Sequence, residues 1–145
     1  MLPTLSGRIQ TRIVLLAFVG GFLTAIVAPL LPIEAPIGDR YQASFVVLAA
    51  VAVLGIGWEL LYHLLMQFRW EKDWPTLFGL VTLLPEGLLL WGLLLLNWVP
   101  FVPGPVSSGA FWLHFTLVWL SVWLVANGPM RVPFIRWRFR GGRFV

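Results

Sequence analysis

Three ionisable side chains, Glu59, His63 and Glu86, lie within stretches of the chain that are otherwise almost entirely apolar. Such residues are costly inside a membrane-spanning helix, at about 2.5–3.5 kcal/mol for an aspartate at the helix centre, and they often mark paths for ions or protons. Polar groups in membrane helices also form hydrogen bonds between helices. Glu59, His63 and Glu86 are therefore candidates for proton or ion handling, or for contact with a partner subunit.

The two glutamates are expected to lie at the same depth, near the middle of the membrane. At a rise of about 1.5 Å per residue, Glu59 lies about 14 Å from the end of its span at Phe68, and Glu86 about 15 Å from the start of its span at Thr76. With no cation expected at this depth, at least one carboxyl group should be protonated and share its proton with the other. His63 is one helical turn from Glu59 and is placed to hydrogen-bond or ion-pair with it.

Cofactor binding and catalysis find less support in the sequence. Haem or a pigment needs a histidine ligand, and only His63 and His114 are available. Their depths differ by about 12 Å, so they are not expected to clamp one haem, although each is able to hold a separate ligand. The chain has no cysteine, and neither a metal site nor a hydrolase or phosphate-binding motif is apparent. The chain is therefore not expected to be an enzyme by itself.

Helices that cross a membrane are needed to position these side chains. Hydrophobic residues make up 59% of the chain and charged residues 11%, whereas a soluble domain has about a quarter charged residues. Four stretches approach the roughly 20 apolar residues that a spanning helix requires. They cover approximately 13–31, 43–68, 76–99 and 110–127, and a basic, aromatic tail follows at 128–145. The first exceeds the apolar part of a signal peptide, about 7–15 residues, and is expected to be retained.

The predicted fold is an all-α integral membrane protein, with four transmembrane helices in one antiparallel up-down bundle. Its orientation follows from the basic residues. Every lysine and arginine except Arg40 lies before the first span, in the middle loop with Arg69 and Lys72, or in the tail. These segments share one side of an up-down bundle, so the positive-inside rule places both termini in the cytoplasm. The expected location is the plasma (inner) membrane.

The C-terminal tail alternates arginines with aromatic residues. Directly after an apolar span, this pattern indicates contact with anionic lipid headgroups, and nucleic acid is not expected as a partner. The arginines expected to contact headgroups are Arg131, Arg136, Arg138, Arg140 and Arg143.

Small residues in the first span predict close helix packing. They recur every four positions and so stay on one helix face, where they allow another helix to approach. One row contains Ala17, Gly21 and Ala25, and the adjacent row contains Gly20, Thr24 and Ala28.

Prolines are expected to mark two stiff connections and one kink. The connections at 32–38 and 100–105 are rich in proline, which cannot continue a helix. In the third span, Pro85 leaves the carbonyl of Val81 without its usual helical donor, so a kink is predicted beside Glu86.

The preferred functional hypothesis is a small, non-catalytic accessory or assembly subunit of a larger bacterial-type inner-membrane complex. It follows from the small-residue faces, the buried acids and the absence of a soluble domain or a catalytic set. The alternative is a proton or ion conduit, or a coupling element of a transporter, that uses Glu59 and Glu86. A third hypothesis is a subunit that holds haem or a pigment through His63 or His114.

Overall fold

The computed structural model describes residues 4–31, 36–69, 76–100, 102 and 107–144. Within these ranges the chain forms helices and turns and no strand, so the prediction of an all-helical chain is confirmed. Most of the two proline-rich connections, and Lys72 of the middle loop, lie outside the described residues.

Four helices are long and apolar enough to cross a membrane, as predicted. They are α1 (Leu5–Leu30), α2 (Ile37–Gln67), α3 (Thr76–Leu95) and α4 (Ser108–Arg131). A short helix, α5 (Ile135–Phe139), follows in the tail. The first two helices begin earlier than the apolar runs suggested, because polar residues form their first turns. The first span therefore includes Arg8 and Arg12, which the sequence had indicated as flanking residues.

Capping residues explain where two of these helices begin. The Thr4 hydroxyl accepts a hydrogen bond from the Gly7 amide at 3.0 Å, which satisfies one of the free donors at the start of α1. Ser107 does the same for α4, accepting from the Ala110 amide at 3.2 Å. Pro36 precedes α2, where its fixed φ is compatible with a helix start.

A π-helical segment, Leu16–Gly20, interrupts the regular α-helix within α1. Residues four apart drift by about 40° per step in an ideal α-helix, and the wider π turn removes part of this drift. The π segment therefore helps to keep Arg8 and Arg12 on the face that also carries Gly20 and Thr24.

The regular helix of the third span is interrupted at a single residue near Pro85, and the kink itself stays a prediction. Regular α-helix runs over Thr76–Val81 and resumes over Leu83–Leu95, with a turn at Thr82 between them. Pro85 lies just beyond this break and supplies no amide donor to the preceding turn. The Thr82 hydroxyl donates to the Gly79 carbonyl at 3.1 Å.

An apolar core joins all four long helices. Glycines allow the backbones to approach, since a Cβ on Gly87 would lie 2.7 Å from Trp112 and 2.9 Å from Phe115. A Cβ on Gly20 would lie 3.0 Å from Leu48. The buried members of this core cluster are Leu16, Val47, Leu48, Val51, Leu90, Phe111, Phe115 and Val118.

The two small-residue rows of α1 have different surroundings. Gly20, Thr24 and Ala28 are buried against the other helices. Ala17 and Ala25 are exposed, and a Cβ on Gly21 would meet nothing within 4 Å. Within the described residues, only the row of Gly20, Thr24 and Ala28 packs inside the chain.

The C-terminal tail returns to the start of α1. The Thr4 amide donates to the Gly141 carbonyl at 3.1 Å, and the Thr11 hydroxyl donates to the Gly142 carbonyl at 2.8 Å. Both glycines have a positive φ, 66° and 86°, a conformation that favours glycine. Gly7 faces Gly141 so closely that a Cβ on Gly7 would overlap its carbonyl.

Candidate functional site

The side chain of Arg12 joins the two buried glutamates. Its Nη1 and Nη2 donate to Glu86 Oε2 and Oε1 at 2.7 and 2.9 Å, a bidentate arrangement. Its Nε donates to Glu59 Oε1 at 2.8 Å, and Nη2 lies 2.7 Å from the same oxygen. Arginine suits this position because its planar guanidinium carries several donors in a fixed geometry. One cation from α1 thus connects carboxylates of α2 and α3.

Two further side chains complete the network. Arg8, one turn before Arg12, donates from Nε to Glu59 Oε2 at 2.6 Å. The Tyr62 hydroxyl donates to Glu86 Oε1 at 2.6 Å. Each carboxylate therefore accepts charge-assisted hydrogen bonds, which are stronger than bonds between neutral groups. The ion-pair network is defined here as Arg8, Arg12, Glu59, Tyr62 and Glu86.

This arrangement corrects the expectation that no cation offsets the buried acids. Glu59 and Glu86 do lie close together, as their equal depth indicated, but Arg12 lies between them. Arg8 supplies a second cation, so two positive and two negative side chains balance within the chain. Each buried carboxylate is therefore paired with at least one cation of the same chain.

Gly55 leaves space for the Arg12 side chain, and an aromatic ring contacts its guanidinium. A Cβ on Gly55 of α2 would overlap the Arg12 side chain, so only glycine leaves the required space. The guanidinium carbon also lies 5.7 Å from the centre of the Trp119 ring, within the range of a cation–π interaction. The position of Arg12 is therefore set from α2 and α4 as well as by its carboxylate partners.

The two histidines lie outside this network. The sequence predicts a contact between His63 and Glu59. In the structure, His63 Nδ1 is buried without a hydrogen-bond partner among the described residues. His114 lies in a second polar layer, where its Nε2 and the Thr24 hydroxyl are 2.8 Å apart. Neither histidine lines the cavity next to the ion-pair network. The described residues include no group of three His, Asp or Glu side chains able to hold a metal ion.

A cavity of about 350 Å³ lies next to the ion-pair network. Its wall includes Arg8, Arg12, Glu59 and Tyr62, and side chains from all four long helices contribute to it. Trp119 and Trp123 of α4 form an aromatic side, while their indole nitrogens donate to the carbonyls of Gly79 and Thr76, each at 3.0 Å. Trp137, Gly141 and Gly142 of the tail cover the end of the cavity near both termini.

The five tail arginines are all exposed. Arg131 donates from Nη2 to Asn127 Oδ1 at 3.1 Å, and both residues line the cavity. Arg143 donates to the Arg140 carbonyl at 3.1 Å, and the Arg138 guanidinium lies 4.7 Å from the Phe139 ring centre. Contact of Arg131, Arg136, Arg138, Arg140 and Arg143 with lipid headgroups stays a prediction.

Sequence reasoning missed Arg8, Arg12 and Tyr62 as members of the site. A signal for the arginines was present, because Arg8, Arg12 and Leu16 continue, at four-residue spacing, the row that begins at Gly20. Two buried acids also call for nearby cations, since an unpaired charge in a membrane is costly. Tyr62 follows Glu59 by three positions and so shares its helix face.

Comparison with known proteins returns no relative. No protein-family model matches the sequence, and no curated protein or solved structure is significantly similar to it.

Proposed function

We propose that this chain is a small, non-catalytic accessory or assembly subunit of a larger inner-membrane complex. The observation that carries the proposal is the bridge from Arg12 to Glu59 and Glu86, because it assigns the buried acids to holding α1, α2 and α3 together. Buried ion pairs of this kind are well suited to specifying one arrangement of helices. With the charges of the ion-pair network balanced internally, the four long helices present a largely apolar exterior to lipid or to other membrane proteins.

An outward small-residue row supports contact with a partner helix. Ala17 and Ala25 are exposed, and the space next to Gly21 is empty, whereas the neighbouring row is already buried inside the chain. Small residues allow close approach between membrane helices, which associate chiefly through van der Waals packing and interhelical hydrogen bonds. The row therefore supports an interface with another membrane subunit on this face of α1.

The alternative, a conduit for protons or ions, needs polar groups along the membrane normal. The polar layer at Thr24 and His114 is separated from Arg12 by about 18 Å along α1. Apolar core side chains, among them Leu16, Val51, Phe115 and Val118, lie between these two layers. This arrangement favours a structural role for Glu59 and Glu86. If Glu59→Gln or Glu86→Gln changed proton flux in reconstituted vesicles, the conduit would be favoured instead.

The proposed topology is an antiparallel up-down bundle with both termini in the cytoplasm. Contacts between the start of one helix and the end of another support this topology. Arg40, early in α2, donates to the Pro29 carbonyl near the end of α1 at 2.9 Å. Thr24, late in α1, contacts His114, early in α4. Arg69 and the tail arginines support the orientation through the positive-inside rule. A reporter fused to the C-terminus should be active only in the cytoplasm.

Co-purification tests the subunit hypothesis directly. The tagged chain, extracted from its native membrane in a mild detergent, is expected to bring down one defined set of membrane proteins. Gly21→Leu should reduce their recovery severalfold, because the larger side chain prevents close helix approach. Gly57→Leu is the matched control, since a Cβ at this position of α2 also meets nothing within 4 Å. A protein recovered alone, or one unaffected by Gly21→Leu, would contradict the proposal.

The hypothesis of a haem- or pigment-holding subunit is tested by a visible absorption spectrum of the purified protein. It has less support than the subunit hypothesis, because His63 and His114 do not meet at one site. A bound chromophore that is lost in His63→Leu or His114→Leu would favour it.

A further inference from the structure

The central cavity has the features of a ligand site. Its volume of about 350 Å³ falls in the range of small-molecule pockets, about 300–1,000 Å³. Such pockets are mainly apolar and contain a few placed polar groups. Here Leu15, Leu16, Val51 and Val122 provide apolar wall, and the ion-pair network provides charged groups.

The charges around the cavity favour an anion. Arg8, Arg12 and Arg131 line it, against the single acid Glu59. Glu86 accepts two hydrogen bonds from Arg12, and counting it still leaves one positive charge. A positive, partly enclosed site attracts anions because the low-dielectric wall strengthens the field. Arg131 is exposed and lines the cavity, so one of these positive charges is accessible from outside the chain.

The aromatic and aliphatic surface favours an apolar body on the same ligand. The indole nitrogens of Trp119, Trp123 and Trp137 already donate to Gly79, Thr76 and Thr11. Their hydrogen-bonding capacity is thus used, and the rings contribute apolar contact area. A fully hydrated small anion would leave this area uncovered.

From this combination we infer that the cavity binds an anionic amphiphile, with its single chain along the tryptophans and its headgroup at Arg131. The class of ligand is a medium- or long-chain carboxylate or a similar single-chain anionic lipid. The tail helix α5 and Gly141–Gly142 lie over the bound chain, held to α1 by the bonds at Thr4 and Thr11. This inference is independent of any partner subunit.

A quenching titration tests the inference with a defined probe. The probe is a terminally brominated medium-chain fatty acid, added to the full-length protein in a non-ionic detergent, and tryptophan fluorescence is recorded. Ala126→Phe fills the cavity from its α4 wall and should abolish saturable quenching. Ala25→Phe adds the same bulk at an exposed position of α1 and should leave quenching unchanged. Equal quenching in both variants would overturn the inference.

Binding of the ligand headgroup at Arg131 is tested by removing the charge of that side chain. Arg131→Gln should weaken binding of the brominated carboxylate about tenfold, because a charge-assisted contact is lost, while Arg138→Gln serves as an exposed control. The brominated alcohol of the same chain length should bind more weakly than the carboxylate and respond to neither change. An alcohol that binds as tightly as the carboxylate would contradict the anionic site.

A photoreactive fatty acid can be applied to the unaltered protein. This test therefore does not depend on whether a variant folds. Crosslinks should map to cavity-lining peptides of α4 and the tail, which include Trp123 and Trp137. Crosslinks confined to outward positions such as Phe22 or Leu117 would overturn the inference.

Discussion

Arg12 and Glu86 are 74 positions apart in the chain, yet their side chains form two hydrogen bonds of 2.7 and 2.9 Å. Arg12 belongs to the first helix and Glu86 to the third, so this pair fixes the distance and rotation between two helices that the chain does not connect directly. Glu59 adds the second helix to the same guanidinium. This junction is the contact through which the proposed structural role of Glu59 and Glu86 is exerted.

The space that Gly55 leaves for Arg12 gives a sharp packing prediction. Gly55→Val should displace the guanidinium from Glu59 and Glu86 and lower stability by about 3–5 kcal/mol, the cost of separating a buried charge from its partners. Thermal unfolding in detergent measures the loss. Gly57→Val, in the same helix, has no neighbour within 4 Å and should shift the midpoint little. Equal shifts in the two variants would rule out this role for Gly55.

The second polar layer predicts a smaller effect. Thr24→Val keeps the shape of the side chain but leaves the buried His114 Nε2 without its 2.8 Å partner, at a cost of about 1–3 kcal/mol. The double variant Thr24→Val/His114→Phe removes both polar groups and should recover most of that loss. Chemical denaturation of the two variants, compared with the unaltered protein, checks the difference. A double variant less stable than the single one would argue against this pairing.

Docking of the tail on α1 predicts a change in protease sensitivity. Gly7→Val should prevent the Gly141 carbonyl from approaching, because a Cβ overlaps it. Trypsin should then cleave after the exposed Arg138 and Arg140 severalfold faster, as local opening governs proteolysis. Ser6→Val, at an exposed neighbouring position, is the control. Cleavage at equal rates in both variants would show that the tail is not held by this contact.

The long apolar runs were sufficient to predict four membrane-capable helices, because chain length and hydropathy alone determine whether a segment can cross a bilayer. The common depth of Glu59 and Glu86 also followed from the rise of a helix. The cationic partners of these two acids could not be predicted in the same way. Arg8 and Arg12 stand next to an apolar run, where the positive-inside rule explains them equally well as flanking residues.

Contacts between distant parts of the chain were the least predictable feature. Periodicity indicated that Gly20 and Thr24 share a face, but it could not tell which of the two small-residue rows packs inside. The return of Gly141 to Gly7 depends on two positive φ angles in the tail, and nothing in the local pattern specifies that approach. Gly7, Gly141 and Gly142 line the cavity beneath the tail, so its wall depends on this return.

A double-mutant cycle between Arg12 and Glu86 tests the central claim most directly. The variants Arg12→Met, Glu86→Met and the double change are compared by reversible unfolding in detergent, with Arg8 and Glu59 left in place as the remaining pair. Each single change should destabilise the protein by about 3–5 kcal/mol, since it leaves the buried network with one uncompensated charge. The double change should cost much less than their sum, because the two effects are coupled. Losses that simply add would show that the two side chains do not hold α1 and α3 together.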